Sequence, residues 1–64
     1  MIDVGIIGAV EMETWSAIFI KPDQFNSALD WCEQSEGTSK FAKGRTAFWF
    51  EDKADATMFS LKFA

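Results

Sequence analysis

Cys32 is the only thiol in a chain of 64 residues that has no histidine. A nucleophilic thiol needs a base or a cation to hold it as thiolate. No imidazole is present to do so. One thiol cannot close an internal disulfide, and without histidine it cannot complete a structural zinc site. Cys32 also shares an i, i+3, i+4, i+7 stripe with Phe25, Ala28 and Leu29. That spacing assigns it to the apolar side of a helix, as an inert core thiol. Carboxylates pair at Glu11/Glu13 and at Glu51/Asp52. Two carboxylates do acid–base work only when they flank a cleft, and ligand clefts run to about 300 Å³ or more. Asp52 is better placed to cap a helix. The residue types thus imply no catalytic site, no cofactor and no metal, and an enzyme is not expected.

The remaining chemistry is that of contact. Lys40-Phe41-Ala42-Lys43-Gly44-Arg45 interleaves three cations with an aromatic ring, a pattern able to hold phosphate and stack a base. The net charge of −4 opposes a polyanion, so nucleic acid and anionic membrane are not expected partners. The charge is uneven. Residues 1–36 carry Asp3, Glu11, Glu13, Asp23, Asp30, Glu33 and Glu36 against Lys21 alone. The basic segment of one copy could therefore meet the acidic helix face (Asp30, Glu33) of another.

Ten aromatic rings, seven Phe and three Trp, are many for 64 residues. Each seeks to bury on the order of 150–250 Å², while a domain of this size buries only ~60% of its unfolded surface. With no disulfide or metal to add support, some rings are expected at the surface as an interface. The expected contact residues are Trp15, Trp31, Phe41, Lys43, Arg45, Trp49, Phe59 and Phe63. The expected partner is the chain itself, as a homodimer or higher oligomer, or a larger protein.

The elements that must position these residues follow from periodicity. Residues 2–10, β-branched with two glycines, read as a strand or extended arm, and Glu11 to Thr14 as a turn. Trp15 to Ile20 reads as a strand with Trp15, Ala17 and Phe19 on one face and Ile18 and Ile20 on the other. Apolar groups on both faces imply a central strand, or one covered on both sides. Pro22 and Asp23 open a helix over about 23–36, closed by Gly37. Thr38 to Phe41 and Thr46 to Glu51 form a hairpin about a turn at 42–45, with Gly44 supplying positive φ. Asp52 caps a last helix. Its buried stripe is expected at Ala54, Thr57, Met58 and Leu61, with Ala56, Phe59 and Phe63 as a second line. The run Val4 to Val10 is too short to span a bilayer and lacks a basic flank, so neither a membrane span nor secretion is expected.

The expected fold is a single α+β domain over 1–64. It has a small, mostly antiparallel sheet of three or four strands, with two helices on one face in ββαββα order. The central β-α-β-β-α run is a ferredoxin-like fragment without its last strand. Such a fragment leaves an open sheet edge, for residues 2–10 or a second copy to fill.

Two stretches resemble known families. Val4-Gly5-Ile6-Ile7-Gly8-Ala9-Val10-Glu11-Met12-Glu13 resembles the opening of methylthioadenosine/adenosylhomocysteine nucleosidases. There the glutamate matching Glu13 belongs to the catalytic site. The rest of that much longer fold has no counterpart in the residues that follow, so the likeness implies no such activity. Phe48-Trp49-Phe50-Glu51-Asp52-Lys53-Ala54-Asp55-Ala56-Thr57-Met58-Phe59-Ser60-Leu61-Lys62-Phe63 resembles the tails of small bacteriophage-encoded proteins: aromatic strand, acidic turn, Asp-Ala, then Phe-x-Leu-Lys-Phe. This resemblance implies a phage protein placed in the host cytoplasm or the virion. The expected role is contact between proteins, as a virion component or oligomeric accessory protein. The alternative is an acidic inhibitor of a host nucleic-acid machine, with Asp23, Asp30, Glu33 and Glu36 mimicking phosphates.

Overall fold

Phe48 and Phe50 stand two residues apart, so an extended chain places both on one face. In the computed structural model, which describes residues 1–63, they lie on strand β4 (Ala47–Phe50) and are sealed at 0% exposure. Phe41, on strand β3 (Lys40–Lys43), sits directly opposite Phe50 and completes an aromatic floor. Helix α2 (Phe25–Gln34) sets Ala28 and Cys32 over that floor, each at 0% exposure. Helix α3 (Lys53–Phe63) adds Ala56 and Phe59. Phe59 is the hub, with ring centroids 4.8 Å from Phe50, 4.9 Å from Phe63, 5.3 Å from Phe48 and 5.7 Å from Trp31. Both long helices therefore cover one face of the sheet.

Local signals set the ends of these helices. A 3-10 turn at Pro22–Gln24 leads into α2. Beyond it, Asn26, Asp30, Glu33 and Gln34 face solvent, as the periodicity requires. The chain leaves α2 through Ser35 and turns at Gly37, whose φ is +117°. The Asp52 carboxylate accepts the Ala54 N–H at 2.8 Å, the expected cap of α3. The Gln24 side-chain amide donates to the Phe63 carbonyl at 3.1 Å, which ties the end of α3 to the start of α2.

The sheet has four strands in the order β1-β3-β4-β2, with β1 at Ile2–Asp3 and β2 at Ser16–Phe19. The pairs β3–β4 and β2–β4 are antiparallel, while β1 runs parallel to β3. The sheet is therefore mixed. The element order departs from ββαββα, because a short helix α1 (Ala9–Thr14) stands between β1 and β2. The expected strand over 2–10 stops after two residues. The Asp3 carboxylate takes the Gly5 N–H at 2.7 Å, and Gly5 turns the chain with φ +76°. After Gly8 the segment Ala-Val-Glu-Met-Glu carries good helix formers, which is why α1 replaces the expected turn.

Two further expectations change. The hairpin turn falls at 44–46, so Ala42 and Lys43 belong to β3. Gly44 has no positive φ; it is needed because a Cβ there would lie 2.8 Å from Cζ3 of the Trp49 indole. On α3 the two apolar lines exchange roles. Ala56, Phe59 and Phe63 pack on the core, while Ala54, Thr57, Met58 and Leu61 face outward. The aromatic floor has room for one line of α3, and the line with two phenylalanines fills it.

The rings prove less crowded than their number suggests. Phe41, Phe48, Phe50 and Phe59 are sealed, and Trp15, Trp31, Trp49, Phe25 and Phe63 are half-buried. Phe19 alone stands out, at 73% exposure. The chain exposes 4313 Å², close to the ~4,100 Å² of a compact monomer of 7.2 kDa.

Candidate contact surface along the open sheet edge

Strand β2 was expected at the centre of the sheet or covered on both sides; it lies at the edge, with Phe19 on its bare face. Its register with β4 pairs Ser16 with Phe50, Ala17 with Trp49, Ile18 with Phe48 and Phe19 with Ala47. The Ile20 N–H donates to the Thr46 carbonyl at 2.9 Å, which sets the phase of the ladder. Residues in an antiparallel pair alternate between bonding the neighbour and facing away from it. Residues 16, 18 and 20 therefore bond β4, while the N–H and C=O groups of Ala17 and Phe19 point outward. Among the described residues no protein group pairs with these four. Residues 2–10 do not fill this slot. They pair at the opposite edge, where the Ile2 N–H donates to Ser39 at 2.8 Å and the Val4 N–H to Phe41 at 3.0 Å.

Beside this edge runs a groove of about 340 Å³ between β2 and α3, lined by Ser16, Ile18, Lys53, Ala56, Thr57, Ser60 and Leu61. Its outer wall carries Leu61, at 83% exposure, with Thr57 and Ser60 beside it. Ile18 faces the groove, and Phe19 projects from the other face of the same strand. An unpaired strand edge flanked by exposed apolar side chains is the geometry by which a further strand adds to a sheet. Ser16 to Phe19 carries no charge, proline or bulge, the devices that normally blunt an edge.

The residues expected at an interface fall elsewhere. Phe41 and Phe59 are core residues at 0% exposure, which removes them from any surface. Trp31 meets Phe59 and Phe63 edge-on, with centroids 5.7 and 6.3 Å away, so it and Phe63 close the core rather than project. Trp15 is half-buried, and Trp49 lies over Gly44 on the helix-free face. Arg45 is exposed at the hairpin tip. Lys43 is paired with Asp3, so the basic segment offers no compact cation cluster. For Asp3, burial works against the charge. Hydrogen bonds from Lys43 and the Gly5 N–H, with the Lys43 charge, outweigh it and hold the carboxyl below its ordinary pKa.

Sequence reasoning missed Phe19, Met58 and Leu61 as exposed groups. The two apolar lines on α3 were the available signal, since a helix on a sheet buries only one stripe fully. A second exposed apolar set, Ile2, Val4, Ile6, Val10 and Met12, runs through β1 and α1. Glu13 is exposed on α1. No helix among the described residues is long and apolar enough to cross a membrane. No family model matches the chain, and no curated protein or solved structure is detectably similar to it.

Proposed function

We propose that this protein works by protein–protein contact through the β2 edge and the adjoining α3 groove. The observation that carries the reading is the outward row of Ala17 and Phe19 backbone groups, flanked by the exposed side chains of Phe19 and Leu61. Main-chain hydrogen bonds would supply affinity, and the groove would select the side chains of the bound strand. The resemblance of residues 48–63 to phage-encoded tails supports the narrower role, a virion component or oligomeric accessory protein of a bacteriophage. The ferredoxin-like reading fits the pairing of residues 16–50. There β2 and β3 run parallel with β4 between them, and the missing fourth strand would lie against β2.

The test is a backbone amide spectrum of labelled protein in buffer and in lysate of the producing cell. Ala17, Phe19, Thr57 and Leu61 should shift or broaden in lysate, and the Phe19→Lys/Leu61→Lys variant should stay unperturbed. A lysate that moves only residues remote from β2 and α3 would remove this reading.

A further inference from the structure

The edge is self-complementary, and we infer that its occupant is a second copy of this chain, paired β2 to β2 about a two-fold axis at Ile18. The inference rests on the contact reading above and names its partner. Only Ala17 and Phe19 present outward N–H and C=O groups. An antiparallel copy that sets Ala17 against Phe19 and Phe19 against Ala17 satisfies all four groups on each chain with four hydrogen bonds. No other antiparallel register of these four residues uses every group.

The side chains agree with that register. On the helix-free face the large Phe19 ring meets the small Ala17 of the other copy, twice by symmetry. On the helix face Ile18 meets Ile18, and the groove side of each α3, with Thr57, Ser60 and Leu61, borders the joint. Charge permits the approach. Each copy carries −4, yet Ser16–Phe19 and the groove residues Ala56, Thr57, Ser60 and Leu61 are neutral, and the charge that lines the groove is the cation Lys53. A standard interface takes ~800 Å² per partner, about a fifth of this surface. The strand edge is too small to supply that area alone, so the groove side of α3 must be covered with it. A two-fold arrangement does both at once, and it closes, leaving neither β2 edge free.

The test uses purified protein. Sedimentation at micromolar concentration should give twice the chain mass, and Phe19→Lys and Ala17→Pro should each give a folded monomer by circular dichroism. Ala17→Pro removes an outward N–H that the chain's own sheet does not use. As a register test, Ile18→Cys should form an interchain disulfide with oxidised glutathione, because non-hydrogen-bonded antiparallel partners stand with Cα atoms ~4.5 Å apart. Ser16→Cys should not. A monomeric wild type overturns the second copy while leaving the contact reading standing if the lysate still perturbs the edge. A dimer untouched by both β2 variants, or one that crosslinks through Ser16→Cys and not Ile18→Cys, overturns the proposed pairing.

Discussion

Cys32 shows how far residue type and neighbourhood decide reactivity. The thiol is at 0% exposure among Ala28, Phe41 and Phe59, and burial, the largest influence, pushes its pKa up to about 12. It stays protonated at neutral pH and is a poor nucleophile. The expected outcome of treating the native protein with a thiol reagent is no labelling until the core opens, then one equivalent per chain in denaturant. Fast labelling under native conditions would contradict the core placement. Phe19 is the opposite case. It is as apolar as Phe48, yet its strand position turns it to the helix-free face at the edge, where no neighbour covers it.

At the scale of an element, α3 carries two apolar lines with opposite consequences. Phe59→Ala removes the hub ring and should cost about 3–5 kcal/mol. The whole stability of a 64-residue domain is roughly 3–10 kcal/mol, so this variant should lose most or all cooperative folding. Leu61→Ser, on the outward line, should change stability by less than about 0.5 kcal/mol at monomeric dilution. Urea midpoints of the two variants against wild type decide the matter; equal losses would mean that the lines are misassigned. Strand β2 makes a related point. Its two apolar faces imply burial on both sides, but burial is set by neighbours, and β4 borders it on one side only.

Across the molecule, compactness and incompleteness coexist. The surface area is that of a compact monomer, and nine of ten rings find full or partial cover. The sheet is nonetheless unfinished along β2. If the second copy completes it, folding and association are linked, and the melting temperature should rise with protein concentration. The Phe19→Lys variant should melt at one temperature throughout the same range. A wild-type melting temperature independent of concentration would speak against linkage.

Local pattern alone determined a helix over about 23–36, observed at Phe25–Gln34 with Cys32 on its inner side, a strand over 46–51, observed at Ala47–Phe50, and the Asp52 cap, because each depends on residues within a few positions of one another. Local spacing also supplied two apolar lines on α3 without ranking them. Tertiary structure decided which line is buried, that β2 lies at the edge, that Lys43 is held by Asp3, and that residues 2–3 join β3 and leave the far edge bare. Those outcomes depend on which strands become neighbours, and sequence spacing carries no record of neighbours distant along the chain.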